Sequence, residues 1–277
     1  MALTPSKKPT REWLLLAGAL LLVAGVALPL WHWSGRGADE TEFWSRFSAE
    51  RLGRLLLGPE QIACYICTVW AGFIILSRFA EVRRQRRAFG FDLLPTEEGA
   101  RLLPEDARPL IRKIDQVTAQ RGPTILGTMI RMALSKFAVS GSATDASEVV
   151  RTQAELEQNR MAASIATVHY LAWAIPALGF LGTVRGLAGG MSLAGLQDSD
   201  TQRFLDTATR QLAVAFDTTF IALALSLVVM YFLHAIQRAE EALVLDCQQY
   251  CQEHLVLRLY NSTAEEIEPV DQFHGGF

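Results

Sequence analysis

Much of what would place this chain among soluble enzymes is missing from it. No run alternates polar and apolar residues as a half-buried strand would, and no tandem repeat or low-complexity tract organises the sequence. Without strands, an all-α fold is what remains. No G-x-S-x-G, metalloprotease or kinase signature occurs. The glycines Gly179, Gly182 and Gly186 could be mistaken for a nucleotide loop, but no strand precedes them and no lysine-serine or lysine-threonine pair follows. Nucleic-acid binding is also unsupported, because the one dense basic cluster abuts a hydrophobic run and reads as membrane topology or headgroup contact. Cysteines number four. Cys64 and Cys67 sit in an apolar helix as small packing residues, whereas Cys247, Cys251 and His254 share a helical face at a spacing that could bind a metal. Three ligands on one exposed helix in a reducing compartment read as coincidence, so neither metal nor cofactor is expected.

What is present is hydrophobicity, 50% of 277 residues, arranged in segments. Four apolar runs approach spanning length, Trp13 to Trp33, Gln61 to Phe79, Ser164 to Met191 and Leu212 to Leu233, against the roughly 20 residues a bilayer requires. The first has the basic flank of a secretory leader, but it is long, lacks a small-x-small cleavage site and ends in Trp31 and Trp33, which suit an interface; it reads as a membrane helix. The second is the weakest, since Gln61 and Thr68 interrupt it. Lys7, Lys8 and Arg11 before the first run, and Arg78, Arg83, Arg84, Arg86 and Arg87 after the second, put both flanks and both termini in the cytoplasm. The expected architecture is a polytopic all-α membrane protein with four transmembrane helices.

Residues 1–80 then hold the first two helices and an exported loop at 34–60. Residues 81–163 form a cytoplasmic helical domain, which Pro95, Pro104, Pro109 and Pro123 cut into pieces such as Glu105 to Gln120 and Thr124 to Val139, with a polar break at Ser140 to Asp145. Residues 164–236 supply the third and fourth membrane helices, and residues 237–277 a C-terminal helix with the acidic tail Glu265, Glu266, Glu268 and Asp271. No proline or glycine falls between Ala146 and Pro176, or between Leu212 and Tyr260, so the third and fourth helices should extend into the cytoplasm as long helices.

Each of those two helices carries a stripe of small and polar residues at steps of three and four. On the third the stripe is Pro176, Gly179, Thr183, Gly186 and Gly190; on the fourth it is Ala215, Thr219, Ala222 and Ser226. A hydroxyl in the bilayer core is costly unless something answers it, so Thr183, Thr219 and Ser226 are candidate linings of an ion pathway. Packing alone is the competing reading. Gly182 and Gly186 form a G-x-x-x-G step, Pro176 can be an ordinary kink, and a threonine hydroxyl can bond a carbonyl of its own helix. Two membrane charges, Arg185 and Asp217, each lie about 200° round from the nearby threonine at 100° per residue, and so off the stripe. A salt bridge between them, within or between subunits, is the economical expectation; Arg185 reaching the headgroups, or Asp217 acting in ion transfer, are the alternatives.

The segment Ala174 to Gly186, with its proline, leucine-glycine turn and Gly182-Thr183-Val184-Arg185-Gly186 core, resembles the signature of the MotA/TolQ/ExbB channel family. Ala213 to Ala222 is similar to the start of that family's last membrane helix, with Thr219 as its threonine. Four membrane helices with a large insert after the second resemble the MotA branch, whereas Gly182-Thr183 resembles TolQ and ExbB; the second late proline of those relatives is missing. The resemblance implies a pentameric ring subunit in the bacterial inner membrane. It would surround a dimer of a MotB/TolR/ExbD-like single-span partner with an essential membrane aspartate, and couple proton or sodium flow to movement. Thr183 and Thr219 would then face the partner, and Pro176 would be the hinge proline. The alternative is a non-conducting scaffold that clamps a partner helix.

Overall fold

A computed structural model describes residues 14–25, 58–91, 93–94, 102–192 and 201–259. α1 (Leu14–Gly25) is a short apolar helix. α2 (Pro59–Arg86) opens on a proline, whose missing N–H costs nothing at a first helical position. Glu60 in its first turn and Arg83, Arg84 and Arg86 in its last match the helix dipole at either end. α3 (Ala107–Arg121) stops at Gly122, whose φ of 86° suits glycine, and at Pro123 beyond it. Thr124 caps α4 (Ile125–Ser140), its Oγ1 accepting from the Gly127 N–H at 3.2 Å, and Gly141 closes that helix in the left-handed conformation. Ser142 Oγ accepts from the Asp145 N–H at 3.3 Å in the first turn of α5 (Ala143–Ser164). α6 (Ala166–Ser192) holds Pro176 in its interior, and α7 (Thr201–His254) runs 54 residues without a break.

Three helical stretches among the described residues are long and apolar enough to cross a membrane, Pro59–Gly90, Ala143–Ser192 and Thr207–Arg258. Of the expected first span only Leu14–Gly25 lies among the described residues. Trp31, Trp33, the loop from Ser34 to residue 57 and the acidic tail fall outside the described residues. Boundaries differ from expectation in three places. The uninterrupted helix expected from Ala146 turns once at Ile165, whose carbonyl accepts from both Val168 N (2.9 Å) and His169 N (3.2 Å), a tightening that needs no breaker residue. The polar break narrows to Gly141 and Ser142, and the last helix starts at Thr201, because its first turns are helical yet too polar to count as span. The only β feature among the described residues is an isolated bridge between Leu102 and Leu259.

The chain divides into two units. In the polar one, from Phe79–Ser164 and Gln237–Phe277, α4 is the centre: Met129, Ile130, Leu134 and Phe137 are fully buried, with Ile114 of α3, Val150 of α5 and Leu243 of α7 also inside. Gln85 Oε1 accepts from Ile125 N at 2.9 Å and Arg86 pairs with Asp246 at 3.3 Å, so the end of α2 and the end of α7 are part of this unit. The apolar unit, from Met1–Arg78 and Ile165–Ile236, brings together α1, α2, α6 and α7. Its outward residues include Trp173, Phe180, Phe216, Phe220, Leu227 and Tyr231, all largely exposed. Helices that are apolar inside and out belong in lipid or against further subunits.

Candidate ion pathway

α6 and α7 touch through their small residues. A Cβ added at Gly179 would lie 2.4 Å from Ala222 Cβ, at Gly182 2.5 Å from Thr218 Cγ2, and at Gly186 2.7 Å from Ala215 Cβ. All are far inside van der Waals contact, so these three glycines are the condition for the close approach. Gly190, on the same stripe, has no atom nearer than 3.8 Å and is not under that constraint.

At the point of closest approach the hydroxyls of Thr183 and Thr219 are hydrogen-bonded to each other, and either can be the donor. Both also reach the same two carbonyls. Thr183 Oγ1 lies 3.3 Å from Gly179 O and 3.4 Å from Ala215 O; Thr219 Oγ1 lies 3.0 Å and 3.4 Å from the same atoms. Two hydroxyl protons thus share several acceptors, and neither is committed to one of them. Both side chains are half-buried, so the pair is not sealed off from a third group.

Ser226 occupies a different role in the geometry. Pro176 has no N–H, which leaves the carbonyl of Ala172, four residues earlier, without its helical donor. Ser226 Oγ donates to that carbonyl at 3.1 Å from within a buried site. One turn along, Cys64 Sγ of α2 approaches Ile175 O at 3.7 Å. The gap at the proline is therefore closed by the Ser226 side chain of α7.

Within the chain Arg185 does not pair with Asp217. Arg185 Nε instead meets Glu60 Oε1 at 2.8 Å, with the carboxylate nearly buried and the guanidinium largely exposed. The same rotation that takes Arg185 off the threonine face turns it toward the first turn of α2. Asp217 is half-buried and has no ion pair among the described residues. Beside Glu60, the buried Gln61 donates from Nε2 to Thr218 Oγ1 at 3.1 Å, and Thr218 Oγ1 donates to Val214 O at 2.8 Å. Thr68, another polar residue of that span, donates to Cys64 O at 2.8 Å. Glu60 and Gln61 are the residues that sequence reasoning missed; the one signal was a glutamate-glutamine pair at the start of an apolar helix, where Glu60 and the Gln61 amide nitrogen find partners while Gln61 Oε1 stays buried without one.

Elsewhere the candidate metal ligands do not converge. Cys247 and Cys251 are buried, while His254 is exposed and packs on Tyr250 at 4.5 Å between ring centroids. No group of three or more metal-ligating side chains occurs among the described residues.

The model of one family, described as the MotA/TolQ/ExbB proton channel family, matches residues 121–249, which contain α4, α5, α6 and most of α7. No curated protein and no solved structure matches the chain. The matched region contains both threonines, Pro176 and the three close-packing glycines, and leaves α1 and α2 outside. Motif, paired helix faces and family match agree, and they support the likeness of this chain to the MotA/TolQ/ExbB proton channel family.

Proposed function

We propose that this chain is the ring subunit of an inner-membrane, ion-driven motor, in which proton or sodium flow past Thr183 and Thr219 moves a single-span partner carrying a membrane aspartate. The observation that carries the reading is the Thr183–Thr219 hydroxyl pair, held half-buried over two shared carbonyls inside the region that matches a proton channel family. Such a pair can offer an oxygen to a passing cation, or accept and release a proton, while the helix carbonyls keep it solvated. A homopentamer around two partner chains, with both termini cytoplasmic, is the arrangement this function requires by analogy with the family. In it Asp217, half-buried and off the threonine face, is not assigned to the ion path.

The scaffold alternative needs the small-residue faces open to a partner helix. Gly179, Gly182 and Gly186 are already filled by Ala222, Thr218 and Ala215 of the same chain, so a clamped partner helix would be held through other residues. Ion flux in proteoliposomes, with the complex purified through a tag on this chain and under separate proton and sodium gradients, tests the proposal. Thr183→Val keeps the shape and removes the hydroxyl; flux should fall by about tenfold or more, the order for losing a hydrogen bond to a charged group. Unchanged flux would sink the motor and leave the scaffold.

A further inference from the structure

α2 lies outside the matched region, yet two consecutive residues of its first turn grip both pathway helices beside the threonines. Glu60 holds Arg185, two residues beyond Thr183 on α6. Gln61 holds Thr218, the residue before Thr219 on α7. An amide and a carboxylate buried at the start of an apolar helix are costly unless partnered, and leucine would serve better there if packing were all that mattered. Gln61 is 1% exposed.

The contact at Thr218 is specific. Its hydroxyl gives its proton to Val214 O and accepts the Gln61 N–H, while its methyl fills the space over Gly182. Its rotamer is thereby fixed, and α7 cannot turn about its axis without breaking the Gln61 bond and driving the methyl into α6. Thr219, about 100° round the same turn, is held where its hydroxyl meets Thr183. We infer that Gln61 is a positioning residue of the ion pathway, holding Thr219 against Thr183 through the Thr218 hydroxyl, with the Glu60–Arg185 ion pair bracing α6 beside it. The inference rests on the pathway proposed above for Thr183 and Thr219.

Its test uses the tagged complex in proteoliposomes, with flux measured against the concentration of the driving ion for wild type, Thr183→Val, Gln61→Leu, Thr218→Val and the Gln61→Leu/Thr218→Val double variant. Gln61→Leu should raise the half-saturating ion concentration about fivefold, the scale of one net hydrogen bond. A loss of folded complexes would lower only the maximum flux. Thr218→Val should give the same shift, Thr218→Ser should restore the wild-type value, and the double variant should add nothing to either single change, because both act through one contact. Half-saturation unchanged in Gln61→Leu, or shifts that add, would overturn the positioning role. Should Gln61→Leu fail to assemble, the Thr218→Val and Thr218→Ser pair decides. Loss of flux in Thr183→Val with no shift at Gln61 overturns the positioning alone; flux untouched in Thr183→Val removes the pathway and this role with it.

Discussion

The two units of this chain are held together by opposite means. Around α4, the polar unit buries Phe137, Leu134, Ile130 and Met129, and its helix ends are finished by Thr124, Gly141 and Ser142. The apolar unit also buries Ile175, Leu233 and Ile236, but where α6 and α7 meet beside the threonines glycine packs on alanine or threonine, and the bonds that cross start from side-chain hydroxyls. Water explains the first and its absence the second. Large apolar side chains stabilise a fold when the alternative is water, and caps matter where helices end in it. In lipid an exposed leucine is already at home, so helices associate through close backbone approach and by satisfying polar groups that nothing else will.

That contrast can be broken at graded cost. The largest effect belongs to Gly179→Leu, which should abolish recovery of folded protein from membranes, whereas Gly190→Ala on the same stripe should leave the yield unchanged; equal tolerance at both would mean α6 and α7 do not pack as described. In the polar unit Phe137→Ala should cost about 3–5 kcal/mol, read as earlier denaturant unfolding of the full chain, with faster hydrogen exchange in α4. A smaller and more telling change is Ser226→Ala, which strips the Ala172 carbonyl of its donor and should destabilise by about 1–2 kcal/mol. In a Pro176→Ala background the restored amide should supply that donor, and the cost of Ser226→Ala should shrink toward zero in the same measurement. Smallest is Thr124→Ala, expected to lower stability by about 1 kcal/mol through the lost cap, with Thr124→Ser retaining most of it.

Helical periodicity was enough to find the stripes, and with them Gly179, Gly186, Thr183 and Thr219, because each stripe is a property of a single helix, while Gly182 came from its G-x-x-x-G step with Gly186. The same periodicity separated Arg185 from the threonine face but could not name its partner. Two helices read as a pair leave out the third, and Glu60 lies on that third helix. Gln61, which weakens the second span as a sequence, strengthens it as a structure, since its bond to Thr218 joins residues 157 apart in the chain. Ser226 was legible as polar and on the stripe; that its hydroxyl answers the carbonyl freed by Pro176 required knowing which turn of α7 lies opposite Ala172.

The threonine pair has one consequence that follows from counting protons. With Thr183 donating to Thr219, and Thr219 to a carbonyl, the two O–H dipoles point one way; exchange the roles and they point the other, with every heavy atom where it was. The two orders are joined by hydroxyl rotation alone. A charge arriving on either side, or an electric field along the helices, selects between them. On the pathway proposed for Thr183 and Thr219, the contact between α6 and α7 would be a polarisable element, its dipole reorienting on the timescale of a hydroxyl rotor and so answering a passing ion before any helix has had time to move.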